Sequence, residues 1–194
     1  IAHGLGVKPG LVIVKNRDLA GTNSKWPAYT DVIDGTFDYI YLNESTAKGN
    51  SGQTAFDSSV FNFSSTSGDA FIAYCFASVD GYSKIATYTG NGSTDGAFVY
   101  TGFRPAFTLI RRTDAAASWM MQDRVTSPFN VVATRIGANS TLPEATSDTA
   151  AGYRIDYLSN GFKIRNTNTN WNADGGTYFY MAFAEQPFKY SNAR

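Results

Sequence analysis

The stretch GFRPAFTLIRRTDAAASWMMQD at residues 102–123 repeats the pattern of GVKPGLVIVKNRDLAGTNSKWPAYTD at residues 6–31. Each stretch runs through a glycine, a proline, an apolar strand-like segment and a tryptophan. The matching positions are Gly6 and Gly102, Pro9 and Pro105, and Trp26 and Trp119, at offsets of 96, 96 and 93 residues. Offsets that drift in this way indicate loops of different length around a common core. The pattern predicts a supersecondary unit present twice.

The match resumes at residues 61–84 and 162–191, where Phe76 corresponds to Phe183 at an offset of 107. A doubled unit of this size predicts two similar lobes, a first at residues 1–90 and a second at 91–194, packed together. In the second unit a hairpin-like segment precedes Gly102, whereas only five residues precede Gly6. The comparison predicts that the natural polypeptide continues before Ile1.

Short runs rich in Val, Ile, Tyr, Phe and Thr alternate with Gly, Asn, Asp, Ser and Pro, which is typical of an all-β sandwich. The predicted strands are residues 11–17, 37–43, 59–65, 70–78, 84–90, 97–102, 107–113, 118–123, 131–137, 153–159, 161–166 and 177–185. We expect at most one turn of helix, because no amphipathic helical stripe is present. The strands around Phe71 and Phe179 are apolar on both faces, so we expect both to run through the middle of the fold. Asn91-Gly92 and Asn160-Gly161 are predicted hairpin turns.

Composition excludes some function classes. Sixteen basic and sixteen acidic residues give a formal net charge of zero, without runs of either sign, so the sequence predicts no nucleic-acid partner. No apolar run approaches the roughly 20 residues of a membrane span, so we expect no membrane insertion. Charged residues make up 16% of the chain, below the roughly 25% usual in soluble domains.

Candidates for chemistry are few. The single histidine, His3, and the single cysteine, Cys75, lie far apart and form neither a zinc site nor a catalytic pair in sequence. Cys75 lies in an apolar run, where we expect it to be buried and inert. Calcium remains open at residues 91–96 and 170–176, which are rich in oxygen ligands but lack the spacing of a calcium loop. Because neither segment has that spacing, we predict no metal, and we likewise predict no cofactor and no enzyme activity.

Trp171 has no counterpart in the first unit and lies in the asparagine-rich segment NTNTNWNADGG (166–176). An exposed indole among amides suits stacking on a sugar ring, so one hypothesis is a lectin-like module that binds glycan through Trp171, Asn170, Asn172 and Asp174. The alternative interpretation is that Trp171 packs back over a lobe edge. A further hypothesis, a polysaccharide depolymerase, would use the aspartate cluster Asp31, Asp34 and Asp38.

Three segments carry a family resemblance: residues 3–17, residues 73–114 with TGNGSTDGAFVYTGFRP, and residues 157–189 with YMAFAEQPF. They resemble a domain common in virion proteins of tailed phages, particularly tail-fibre and similar structural proteins of marine phages. The resemblance implies a β-rich component of an extracellular virion, and we expect this component to serve structure and host-surface attachment. It implies other virion proteins as partners and no catalytic residues. Because virion proteins usually form symmetric oligomers, we expect a homo-oligomer, a trimer at a fibre tip, with a cell-surface glycan as a possible ligand.

Overall fold

The computed structural model describes residues 1–18, 24–53, 56–63 and 69–186. Within them, the first half contains β1 (Leu11–Asn16), β2 (Pro27–Thr30), β3 (Asp38–Tyr41), β4 (Gly49–Asn50), β5 (Phe71–Phe76) and β6 (Ser83–Thr89). The second half contains β7 (Phe98–Tyr100), β8 (Pro105–Arg112), β9 (Met120–Asp123), β10 (Thr134–Gly137), β11 (Ala145–Thr146), β12 (Ile155–Leu158), β13 (Gly161–Ile164), α1 (Thr169–Asn172) and β14 (Thr177–Ala184). The predicted all-β fold is confirmed, and α1 is a single turn of helix.

The strands form three antiparallel sheets. The first sheet has the order β4-β3-β2-β1-β5, the second β11-β10-β9-β8-β14-β6 and the third β12-β13-β7. An apolar cluster joins the first and second sheets face to face, with Leu11 and Ile13 on one side and Leu109, Phe179 and Met181 on the other. A second cluster fills the space between the other face of the second sheet and the third sheet. The second sheet is therefore the middle layer and is covered on both faces.

The first and second sheets share a strand order and a register. Strands β1 to β5 of the first sheet occupy the same order as β8 to β11 and β14 of the second. Val12 pairs with Tyr29 on one side and with Cys75 on the other. The corresponding pairs in the second sheet are Thr108 with Gln122 and Thr108 with Ala182. These positions are related by the offsets of 96, 93 and 107 residues found in the sequence. A duplicated unit predicts this agreement, and the duplication itself stays a prediction.

The matched tryptophans also have matched neighbours. The ammonium nitrogen of Lys15 lies 5.4 Å from the ring centre of Trp26, and the guanidinium of Arg111 lies 5.9 Å from that of Trp119. Both tryptophans pack with the cluster between the first two sheets, Trp119 fully buried and Trp26 partly. A basic side chain over an indole gains favourable cation–π energy. The two matching tryptophans therefore occupy similar positions in the packing between the first two sheets.

The two long apolar strands lie in different places. β14 runs through the second sheet between β8 and β6, as predicted. The same prediction is wrong for β5, which is the edge strand of the first sheet. The reason is β6: residues 83–89, which the predicted lobe boundary assigns to the first lobe, pair with β14 in the second sheet. Cys75 of β5 is consequently half-buried rather than buried, and its partial burial raises the pKa of the thiol.

Two local predictions also differ from the structure. In the predicted strand 59–65, residues 64 and 65 lie outside the described residues, and the rest contributes only the bridge between Ala2 and Val60. The turn predicted at Asn160-Gly161 lies one residue earlier, because Gly161 pairs with Leu158 as the first residue of β13. Gly161 is needed for a close approach, since a Cβ there would lie 2.1 Å from the carbonyl oxygen of Val99.

Candidate functional site

The segment around Trp171 is part of the core and does not form a surface site. Trp171 lies in α1, is fully buried, and packs at 5.3 Å against the ring of Tyr153. Its carbonyl oxygen accepts a 2.7 Å hydrogen bond from the Tyr88 hydroxyl. The structure therefore contradicts the exposed indole of the lectin hypothesis and agrees with the alternative that Trp171 packs back onto the protein, because the single helical turn directs the ring between the second and third sheets. Stacking on a sugar requires an accessible ring face.

The polar neighbours of Trp171 mostly bind protein groups. The Asn172 amide is fully buried, and its nitrogen lies 2.7–3.1 Å from oxygens of Asn91, Ser93 and Asn166. Its oxygen accepts a 3.0 Å hydrogen bond from the Asn91 amide. The oxygen of Asn170 accepts from the Ser118 amide at 3.3 Å, whereas Asp174 is exposed. Asn172 therefore fastens the loop after β6 to the core, and the four predicted residues share no open surface.

The aspartate cluster is held by lysines. Lys8 forms an ion pair with Asp31. Lys48 Nζ lies 2.8 Å from carboxylate oxygens of both Asp34 and Asp38, and the Asp38 side chain is 0% exposed. The hydrogen bond from Lys48 holds the pKa of Asp34 well below its usual range, with Thr36 contributing further hydrogen bonds. A glycosidase acid requires a carboxyl with a raised pKa. The geometry therefore favours a structural ion-pair cluster at the start of β3.

An open groove on the outer face of the first sheet is the strongest candidate for a binding site. We call it the tyrosine groove, and it has a volume of about 470 Å³. Its lining consists of three tyrosines, one proline and polar side chains: Lys25, Pro27, Tyr29, Tyr39, Tyr41, Asn50, Ser51 and Gln53. Grooves that combine aromatic walls with a few polar groups are the usual form of small-ligand sites.

The strand period places the aromatic rings side by side. Because side chains alternate between the two faces of a strand, Tyr39 and Tyr41 of β3 lie on the same face. Their ring centres are 5.0 Å apart, and Tyr29 of β2 meets Tyr39 edge-on at 6.5 Å. Gly49 of β4 leaves room for the Tyr39 ring, since a Cβ there would lie 2.5 Å from Tyr39 Cζ. A side chain at position 49 would therefore displace the Tyr39 ring from its place over β4.

The core fixes one end of the tyrosine groove. The buried Trp119 indole donates a 2.9 Å hydrogen bond from Nε1 to the Tyr41 carbonyl oxygen. The Lys25 ammonium lies 4.4 Å from the centre of the Tyr41 ring and 3.4 Å from Glu44. Burial raises the pKa of the Tyr41 phenol to about 12, with Tyr39 and Glu44 adding to the effect. Tyr41 therefore presents a neutral hydroxyl on a positioned strand.

One part of the tyrosine groove could be predicted from the sequence. Residues 37–43 were predicted as a strand, and the alternation in DYIY (38–41) indicates two tyrosines on one face. What could not be seen was the partner strand β2, which supplies Tyr29, and the glycine of β4 beneath Tyr39. Trp171 was a candidate site residue because it lacks a counterpart in the first unit. The tyrosine groove, in contrast, is formed by residues of neighbouring strands.

A second pocket is charged. Its volume is about 340 Å³, and it is lined by Thr94, Asp95, Arg154 and Arg165. Both arginines are paired within the protein, Arg154 with Asp148 and Arg165 with Asp156, each at 2.9 Å. The two guanidinium groups of this pocket are therefore already paired with carboxylates of the protein.

Among the residues that the structure describes, no group of three or more His, Cys, Asp or Glu side chains is arranged to hold a metal ion. In the same part of the chain, we find no helix with the length and apolar character needed to cross a membrane.

Three stacked antiparallel sheets with an open aromatic groove define an all-β, sandwich-like domain. The chain belongs to the family described as Domain of unknown function (DUF7483), whose profile matches residues 1–187. No curated protein matches the chain significantly, and neither does any solved structure.

Proposed function

We propose that this domain is a structural and attachment module of a phage virion appendage, such as a tail fibre, and that it binds a glycan of the host surface through the tyrosine groove. The resemblance of residues 3–17, 73–114 and 157–189 to virion proteins supports the placement. The groove supports the attachment role, and it is the observation that carries the proposal. Detection of the parent polypeptide by mass spectrometry of purified particles tests the placement.

Sugar recognition suits the chemistry of the groove. Tyrosine rings offer flat apolar faces to the C–H side of a sugar, and their hydroxyls hydrogen-bond to its polar edge. Tyr39 and Tyr41 provide two such rings 5.0 Å apart, and Asn50 and Ser51 add an amide and a hydroxyl at the rim. The lysine–aspartate pairs at Asp31, Asp34 and Asp38 favour binding over hydrolysis.

The first test is binding to a panel of bacterial surface polysaccharides, with lipopolysaccharide O-antigen and capsule fragments as probes. For a fragment that binds the wild type, Tyr41→Ala should weaken affinity about tenfold or more, because it removes one of the two neighbouring rings on which a sugar would stack. Tyr41→Phe keeps the ring and isolates the hydroxyl. Isothermal titration calorimetry measures each affinity.

Tyr100→Ala is the matched control, since Tyr100 is an exposed tyrosine on β7 of the third sheet. We expect Tyr100→Ala to bind as the wild type does. Equal losses in Tyr41→Ala and Tyr100→Ala, or unchanged binding in Tyr41→Ala, would show that the tyrosine groove is not the site. New reducing ends released from the probe would instead support the depolymerase hypothesis.

A further inference from the structure

The outer edge of β5 has the properties of an interface between chains. Its sequence, FIAYCF, contains neither a charged residue nor a proline over six residues. Among the described residues, β5 pairs with β1 alone. Ile72 and Tyr74 are 40% and 45% exposed. An uncharged, apolar edge strand of this length is a template for pairing with another strand.

Other outer edges of the first two sheets are protected. β4 and β11 consist of two residues each, too short to template a long ladder. β6 carries Lys84 together with Ser83, Thr87 and Thr89. Short edges and edges with lysine are the usual means by which proteins avoid unwanted strand pairing. The contrast indicates that the β5 edge is a surface to be covered.

In the second sheet, the strand equivalent to β5 is covered on its outer side by another strand. There β14 corresponds to β5, and its outer side is paired along its length with β6. Ile72 and Tyr74 correspond to Phe179 and Met181 at the offset of 107 residues, and both of these are buried. A strand laid along β5 would cover part of the exposed surface of Ile72 and Tyr74.

We propose that β5 pairs with β5 of a second copy of this chain, antiparallel and around a two-fold axis at Ala73. The carbonyl oxygens of Ala70 and Phe76 accept hydrogen bonds from the β1 side, from Arg17 and Gly10. Because the direction of the backbone groups alternates along a strand, residues 71, 73 and 75 present theirs to the open edge. A ladder centred on Ala73 uses all three of these residues in each copy.

This register is self-complementary. It sets Ile72 of one copy opposite Tyr74 of the other, so that the exposed apolar side chains of β5 cover each other. Since FIAYCF carries no charge, two copies meet without repulsion. A two-fold interface uses the same surface on both copies, and each copy supplies one such edge. The first sheet would then continue across both chains. This inference does not depend on glycan binding.

The assembly state tests the proposal. Sedimentation equilibrium of the wild-type chain over the micromolar range should show a monomer–dimer equilibrium. Tyr74→Lys places a charge on the edge and should weaken dimerisation about tenfold or more. Tyr100→Lys makes the same change at an exposed tyrosine of the third sheet and should dimerise as the wild type does. A wild type that stays monomeric or forms only trimers, or a Tyr74→Lys variant that dimerises normally, overturns the proposal.

Disulfide trapping tests the register. In a Cys75→Ser background, Ile72→Cys combined with Tyr74→Cys should cross-link two chains, because directly opposed residues that do not exchange hydrogen bonds have Cα atoms about 4.5 Å apart. Ile72→Cys alone should give no cross-linked dimer, since residue 72 does not face its own copy. Cross-linking by the single cysteine contradicts the register. A monomer whose β5 edge binds the peptide SKIATYT, the sequence of β6, would show that a different strand covers the edge and would refute pairing with a second copy.

Discussion

Replacing Trp171 by alanine is expected to lower the free energy of unfolding by about 3–5 kcal/mol. The ring is 0% exposed and packs in the cluster between the second and third sheets, so the variant leaves a large cavity. Urea denaturation followed by far-ultraviolet circular dichroism measures the change. The slope of the unfolding free energy against urea concentration should equal that of the wild type if the variant still unfolds as one unit.

Two variants accompany this measurement. Trp171→Phe should cost less than Trp171→Ala, because it keeps an aromatic ring and because the buried Nε1 of Trp171 has no hydrogen-bond partner to lose. Trp26→Ala should also cost less, since Trp26 is only partly buried. If Trp171→Ala leaves stability unchanged but abolishes glycan binding, the buried position of the ring is refuted and the lectin hypothesis based on Trp171 is restored.

The second large effect is expected for Lys48→Met, which should destabilise the fold by roughly 3 kcal/mol at neutral pH. The substitution keeps the length of the side chain but leaves the Asp38 carboxylate, which is 0% exposed, without its cation. We place the effect at the lower end of the range for broken buried pairs because the Lys48 side chain is 26% exposed. Urea denaturation again gives the value.

The stability lost in Lys48→Met should depend on pH. Lys48 lowers the folded-state pKa of Asp34, so the folded protein binds fewer protons there than the unfolded chain. The stabilisation is therefore complete above the usual carboxyl pKa of 3.8 and is lost as the pH falls below it. The stability gap between wild type and Lys48→Met should narrow below about pH 4. Lys163→Met, which breaks a pair with the exposed Asp95, should change stability much less than Lys48→Met does, because solvent screens an exposed pair. A gap that widens in acid would contradict this account.

The fold class could be predicted because its signals are local. Strand period, turn residues and the absence of a helical stripe all follow from short windows, and the offsets between Pro9 and Pro105 and between Trp26 and Trp119 anticipate the paired registers. Strand neighbours are not local. An apolar run such as FIAYCF reads as a central strand whether or not another strand lies beside it, so the edge position of β5 could not be deduced.

The candidate site was harder to predict for the same reason. An asparagine-rich context favours an exposed Trp171, yet one turn of helix and the amide of Asn172 direct that segment inward. The tyrosine groove combines residues from β2, β3 and the segment after β4. Only the tyrosines of DYIY were visible as a face in the sequence. Their partner Tyr29 and the clearance above Gly49 depend on strand pairing.

The middle position of the second sheet separates the residues that stabilise the fold from the residues that line the tyrosine groove. Its two covered faces contribute large buried side chains to both apolar clusters, among them Trp119, Phe179 and Tyr180. The rim of the tyrosine groove, with Lys25, Asn50 and Ser51, lies on the far side of a different layer. In the proposed attachment role, substitutions at that rim would alter ligand preference while the interior stays unchanged, so the domain could adapt to a changed host glycan without compensating mutations.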